Sequence, residues 1–320
     1  MAMRVAAYAK LNLGLRILGR RADGYHELRT IFQTISLADE VEITFGAGRG
    51  VRFALELPPA RAELARWFEV PGDETNLAAR AAALAREEFR LRGQIRVRLR
   101  KCIPAGAGLG GGSADAAATL RGLAARARPA PPPEVLWRLA AALGADVAAL
   151  LIGGTVLGVG RGDECYPLPP LPPLHAVVAL PAQPVATAQA YARWDALHPE
   201  AAGAASLTGA EASARIYSFC GSLMRALPAS RRERDRGRAE RPIVRAGIEN
   251  DFEEVVGSLS PDFAKIRAAL RRAGAGAVAL TGSGAAQYGL FATRAAAAVA
   301  RARLAALGPA WMARFVGRRG

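Results

Sequence analysis

The sequence predicts an α/β protein, mixed in the α+β manner and large enough for two domains, and three observations carry that reading. The chain has 320 residues and an apolar fraction of 51%, which is ample for a substantial core. Runs with the two-residue period of strands are interspersed with alanine-rich runs spaced like helices. Near residue 100 a strand-type run, a glycine cluster and a helix-type run follow one another without a break.

The first elements are strands: residues 4–18 and 28–45 carry strand-type apolar runs, and Val51–Leu57 alternates. Leu77–Phe89 has helical spacing, with Asn76 as its cap. Ile95–Leu99 alternates as a strand with one polar face. Asp115–Ala127 reads as a helix, Pro129–Pro133 as a break and Glu134–Leu143 as another helix. The second half starts near Val156 or Pro167, where five prolines among residues 167–173 make a rigid connector. Beyond it His175–Leu180 is a strand, Ala188–Leu197 and Pro261–Ala273 are helices, and Ala277–Leu280 and Tyr288–Phe291 are strands around a tight turn at Thr281–Gly284. Thr293–Leu307 is the last helix. Residues 230–241, SRRERDRGRAER, have no apolar face and read as a solvated loop.

Composition excludes several function classes. No run is long and apolar enough to span a membrane, and the first ten residues are too soon charged for a signal peptide, so a cytoplasmic protein without a membrane partner is expected. Cys102, Cys165 and Cys220 match no metal-ligand spacing and fit a reducing compartment. The net charge of +15 raises the question of a polyanion partner. However, only Lys10, Lys101 and Lys265 are lysine, and the arginines are spread among alanines along the chain without a zinc-finger or RNA-binding signature. No nucleic-acid partner is therefore expected, although the positive field favours a phosphorylated small molecule.

The stretch K-C-I-P-A-G-A-G-L-G-G-G-S-A-D-A-A from Lys101 to Ala117 is the most informative. Gly108, Gly110, Gly111 and Gly112 can take positive φ and turn several backbone N–H groups toward one anion, and a helix starting near Ser113 adds its unpaired first-turn donors. A bound phosphate fits such a loop. Ser113 can cap the helix or bond a phosphate oxygen, and Asp115 can stabilise the first turn or stand near a cation. A P-loop would need a lysine beside Ser113; the letters G-x-G-x-x-G over Gly106–Gly111 lack the preceding strand–helix–strand of a dinucleotide fold.

The same stretch resembles the phosphate loop of the GHMP kinases. The match is closest to the branch whose acceptor is 4-diphosphocytidyl-2-C-methyl-D-erythritol. A-K-L-N-L-G-L at 9–15, R-R-A-D-G-Y-H-E-L at 20–28, G-A-D-V at 144–147, residues 181–191, I-E-N-D-F at 248–252 and L-T-G-S-G at 280–284 are similar to that branch's motifs, in its order, across about residues 5–291. Two departures stand out: Ala148 replaces the branch's usual proline, and residues 205–241 are longer and more basic.

The resemblance implies an N-terminal ribosomal protein S5 domain 2-like domain over residues 1–165 and a C-terminal α/β sandwich domain over 166–320, with the active site between them. It implies ATP-dependent phosphorylation of the acceptor's 2-hydroxyl, in the non-mevalonate isoprenoid pathway. Pro104, Ala105, Gly106, Ala107, Gly108, Leu109, Gly110, Gly111, Gly112, Ser113 and Ala114 would hold the ATP phosphates, so Gly111→Val should crowd them. Asp146, by residue type alone a turn or helix-end residue, would take the hydroxyl proton. Lys10, otherwise a solvated strand-end lysine, would orient that hydroxyl. Asn12, Tyr25, His26 and Thr187 would hold the diphosphocytidyl sugar alcohol, and Tyr191 would offer a face to the base, although its spacing also suits a buried helix position. Mg²⁺ is implied by ATP chemistry, but no protein metal cage is legible. The oligomeric state stays open between monomer and homodimer. The rivals are a GHMP kinase of mevalonate or homoserine type and, on the basic run alone, a nucleic-acid-binding protein.

Overall fold

The computed structural model describes residues 2–58, 62–202 and 248–318. The basic run at 230–241 and Cys220 lie outside the described residues. Two strands dominate the first part: β1 (Met3–Arg20) and β2 (His26–Gly46) form a long antiparallel hairpin whose register runs from Met3↔Ile43 to Arg20↔His26. The turn at 21–25 is set by Gly24 at φ 84° and by Asp23, whose side chain accepts the Tyr25 amide at 3.1 Å. Register shifts at Tyr8/Lys10 and Asn12/Leu15 re-aim the middle of β1, so that polar Lys10 and Asn12 are buried among apolar neighbours.

The other edge of β2 is shared. Its C-terminal half pairs with β4 (Gln94–Arg100), which carries β3 (Val51–Glu56) in parallel; its N-terminal half pairs with β5 (Thr155–Gly160), followed by β6 (Glu164–Pro167). On this sheet pack α1 (Leu77–Glu88) and α2 (Gly111–Arg126), with α3 (Pro133–Leu143) and α4 (Ala145–Ile152) beside them. Asn76 caps α1 by accepting the Ala78 amide at 2.9 Å, an interaction that contributes about 1 kcal/mol.

A second, antiparallel sheet runs in the order β10 (Ala310–Arg314), β7 (His175–Ala179), β9 (Gln287–Phe291), β8 (Ala277–Leu280). Its own core joins Val177 and Phe291 to Ile266 and Leu270 of α7 (Phe263–Arg272) and Ala297, Ala300 and Leu304 of α8 (Arg294–Leu304). Two further helices, α5 (Thr187–Leu197) and α6 (Phe252–Leu259), pack against each other, and α6 also packs against β8 and α7.

Backbone hydrogen bonds tie the halves together. Leu15 of β1 exchanges bonds with the 249–251 segment, donating to Glu249 and accepting from Asp251 at 2.9 and 3.0 Å. On the far side the Val316 amide donates to Thr34 at 2.9 Å. The Tyr288 hydroxyl donates to the Asn12 carbonyl at 2.9 Å, fully buried. The strand carrying Lys10 is thus held against the second sheet by groups that have no water to bond instead.

Five helices and strands of the described residues, α4, α6, β5, β6 and β10, were not expected. In α4 an all-apolar run hides helical periodicity. In β5 Gly158 breaks the strand pattern because a Cβ there would stand 2.6 Å from the Phe32 ring. The short strands β6 and β10 carry too few residues for a period. The helix expected from Asp115 begins at Gly111, because Gly111 and Gly112 join its first turn.

Candidate active site

The glycine loop lies between the end of β4 and α2, and its glycines divide by job. Gly106, Gly108 and Gly110 have φ of 66°, 78° and 69°, where a side chain is strained, whereas Gly111 and Gly112 are helical. Gly110 is the residue before α2 and can offer no capping side chain. The first-turn amides of Gly111, Gly112 and Ser113 therefore keep their donors for a ligand, at the positive end of a 16-residue helix. Ser113 stands in the helix and does not cap it.

The Cβ that valine would add at Gly111 points elsewhere than expected, to 3.1 Å from Ile103 Cγ2 and 3.3 Å from Lys101 Nζ. Gly111 makes room for the core and for Lys101; Gly108 makes room for the neighbouring turn. Asp115 is also placed differently from the cation reading. It is 2% exposed and accepts from Lys101 Nζ at 2.8 Å, while Asp39 accepts from the same ammonium at 2.5 Å. Asp39 also accepts the Cys102 and Ile103 amides at 2.5 and 2.8 Å, fixing the chain as it enters the loop. Burial opposes the Lys101 charge, but the two carboxylates outweigh it and raise its pKa; burial holds the Asp115 carboxyl well above the usual carboxylate range.

Beside the loop is a cleft of about 1060 Å³. Of the loop residues expected to hold phosphates, Pro104, Ala105, Gly106, Gly108–Ser113 line it, while Ala107 and Ala114 are buried behind its wall. Lys10 and Asp146 meet there: Lys10 Nζ is 3.5 Å from Asp146 Oδ2. Lys10 is nearly fully buried, with its ammonium over the Phe32 ring at 5.5 Å, and Asp146, in the first turn of α4, is a third exposed to the cleft. The lysine is thus not a solvated strand end.

Asn12 reaches the cleft wall, but its side chain is spent on protein. Its Oδ1 accepts from Lys10 Nζ at 2.5 Å and the Gly282 amide at 2.8 Å, its backbone amide donates to Thr281 Oγ1 at 3.1 Å, and its Nδ2 donates to Thr30 Oγ1 at 2.7 Å. In this structure Asn12 holds Lys10 and the 281–284 turn. Thr187 opens α5 and accepts from Ser283 Oγ at 3.1 Å, at the exposed rim.

At another part of the cleft His26, the first residue of β2, is buried against α5. Tyr191 stacks on its ring at 4.6 Å between centroids, Trp194 meets it edge-on at 5.7 Å, and Asp195 Oδ1 lies 2.6 Å from its Nε2. One face of Tyr191 is therefore taken by His26, and Phe252 packs edge-on to it at 4.8 Å. Burial, and after it the Asp146 charge, pushes the Tyr191 hydroxyl up to about 12. Tyr25 is exposed at the mouth, with the Arg161 guanidinium 5.0 Å from its ring centre. Asp195, Trp194 and Arg161 were missed from sequence; only the Tyr191/Trp194/Asp195 spacing, one helix face, signalled the first two.

Among the described residues, no three His, Cys, Asp or Glu side chains gather to hold a metal ion. Among the described residues no helix is long and apolar enough to cross a membrane.

Comparison with known proteins agrees with this geometry. Residues 76–154 match the GHMP kinases N terminal domain and residues 224–310 the GHMP kinases C terminal domain. The 4-diphosphocytidyl-2-C-methyl-D-erythritol kinase of Solibacter usitatus is 43% identical over 90% of this chain and 81% of its own. That of Moorella thermoacetica is 40% identical over 91% and 90%. A crystal structure of 4-(cytidine 5'-diphospho)-2C-methyl-D-erythritol kinase superposes with a TM-score of 0.73 at 34% identity, covering 98% of this chain and all of the other. The chain therefore belongs to a family of ATP-dependent small-molecule kinases, the 4-diphosphocytidyl-2-C-methyl-D-erythritol kinases within the GHMP kinases.

Proposed function

We propose that this chain transfers the γ-phosphoryl group of ATP to the 2-hydroxyl of 4-diphosphocytidyl-2-C-methyl-D-erythritol, a step of the non-mevalonate isoprenoid pathway. The observation that carries the reading is that one cleft gathers a phosphate-type loop, the Lys10–Asp146 pair and the His26 cluster. Phosphoryl transfer needs those three things: anchored phosphates, an oriented hydroxyl and a recognised acceptor.

In this reading the first-turn amides of α2 hold the nucleotide phosphates. Asp146 accepts the proton of the acceptor hydroxyl as its oxygen bonds to the γ-phosphorus and the bond to the leaving ADP breaks. Lys10, fixed by Asn12, orients that hydroxyl and offsets the charge that develops beside Asp146. Tyr25, His26, Thr187 and Tyr191 hold the acceptor. Mg²⁺ would arrive on the nucleotide and neutralise phosphate charge, and Ser113, on the cleft wall, would be the side chain of the loop at hand to contact it directly or through water.

The reading divides the chain near residue 165. In support, the last strand of the first sheet ends at Pro167 and the first of the second sheet opens at His175. It places the enzyme in the cytoplasm, in keeping with unpaired Cys102 and Cys165, as a monomer or homodimer to be distinguished by sedimentation. The test is ADP release by the purified chain against a panel of acceptors. Turnover with the diphosphocytidyl sugar alcohol and none with mevalonate or homoserine is expected; the reverse preference would overturn the assignment.

A further inference from the structure

His26 is held more completely than binding a base by packing alone would require. Three side chains from one face of α5, at positions 191, 194 and 195, grip it: a stacked ring, an edge and a carboxylate. The imidazole is 8% exposed, so its orientation is set before any ligand arrives. Asp195 is part-buried, lines the cleft, and spends one oxygen on Nε2 at 2.6 Å. Its partner lies 169 residues away in sequence, so the pair is made by the fold and not by local turn chemistry.

Resting on the function proposed above, we propose that Asp195 is a positioning residue that fixes the His26 tautomer and thereby makes the site select a cytosine over a uracil. A carboxylate only accepts, so the hydrogen on Nε2 is the one it holds. In the neutral ring the lone pair is then on Nδ1, the nitrogen that meets no protein partner among the described residues. A lone pair accepts from an amino group and repels a carbonyl oxygen. Cytosine carries an exocyclic amino group at the ring position where uracil carries a carbonyl, so a ring locked in this tautomer attracts one base and disfavours the other.

The tests separate this proposal from the function it rests on. Nitrogen-15 correlation spectra of a chain with three histidines should show His26 of the wild type protonated at Nε2 when neutral; a ring protonated at Nδ1 overturns the proposal without any variant. Asp195→Ala should raise the KM for the diphosphocytidyl acceptor about tenfold, the loss of one charge-assisted bond, and narrow its preference over the diphosphouridyl counterpart, with the KM for ATP within twofold of wild type. In the double variant with His26→Ala the acceptor KM should be no higher than in His26→Ala alone, because Asp195 acts through the ring. Additive losses overturn the positioning role. A loss in His26→Ala with none in folded Asp195→Ala overturns this inference alone, whereas no loss in His26→Ala overturns the cytosine-site reading and this inference with it.

Discussion

A Cβ placed on Gly108 would stand 2.0 Å from the carbonyl oxygen of Thr281. The glycine loop and the 281–284 turn thus touch backbone to backbone, locked by Thr281 Oγ1 donating to the Gly108 carbonyl at 3.0 Å. Gly284 has the same character from the other side, its Cβ position lying 2.6 Å from Ala107 C. Gly108→Ala should therefore push the loop off the turn, at a cost of roughly 1–3 kcal/mol, and raise the KM for ATP about tenfold. Gly106 has a similar φ of 66° but nothing within 4 Å, so Gly106→Ala should cost only the backbone strain, about 1 kcal/mol. Thermal denaturation and ATP titration of both variants check the difference; equal effects would mean that strain, not contact, governs the loop.

The strands and helices that the sequence shows well are those with a period and an edge: the β1–β2 hairpin, α1 with its Asn76 cap, and β4 with arginines on every second residue. The glycine loop between a strand and a helix was legible because bare backbone at that place stands out in the sequence. What each glycine does was not, since Gly108 answers to Thr281 and Gly111 to Ile103 and Lys101, partners that only the fold brings near. The same limit applies to Lys101, Asp39 and Asp115, and to Asp195 of α5, whose meaning depends on a ring at the start of β2. Motif residues told where the site is; the contacts that hold those residues are long-range and leave no local pattern.

Asp146→Asn should abolish nearly all turnover, since a positioned base contributes ~10² to 10⁴-fold, while leaving ATP binding within twofold. Asp146 lies in the first turn of α4 with its side chain a third exposed, and its packing role is small. Asn12→Ala should behave otherwise. It strips Lys10, Thr30 and Gly282 of a shared buried partner, so both kcat and the melting temperature should fall. Steady-state kinetics beside calorimetry distinguish the two; an Asp146→Asn enzyme within threefold of wild type would remove Asp146 from the mechanism.

The buried Lys101 group makes an asymmetric prediction. One ammonium faces two carboxyl groups, and burial raises the Asp115 carboxyl well above the usual carboxylate range, with its Oδ1 lacking a partner. Asp39 meets three donors and is the charge that Lys101 faces. Asp115→Asn, a neutral group of the same shape, should thus change stability by less than about 1 kcal/mol, whereas Asp39→Asn should cost about 3–5 kcal/mol by leaving the ammonium buried beside neutral groups. Urea denaturation of both variants measures this; equal losses would mean that the two carboxylates share the charge.

Alkaline pH should loosen the cleft through Tyr191. Its hydroxyl is raised from 10.0 to about 12, by burial first and then by Asp146, so the folded chain holds that proton more tightly than the unfolded chain does. The sign follows: the contribution is complete below pH 10, where both states are protonated, and is lost as pH rises from 10 to about 12. A shift of this size corresponds to about 3 kcal/mol at most. Cys165, raised by burial from 9.0 to about 12, acts in the same direction from a slightly lower pH. Tyr191→Phe keeps the ring against His26 and Phe252 and removes only the titrating group. Its stability, followed by urea denaturation at half-unit steps from pH 8.5 to about 11.5, should decline less steeply than that of the wild type above pH 10. If the two curves stay parallel across that range, Tyr191 is not the group whose ionisation opens this wall of the cleft.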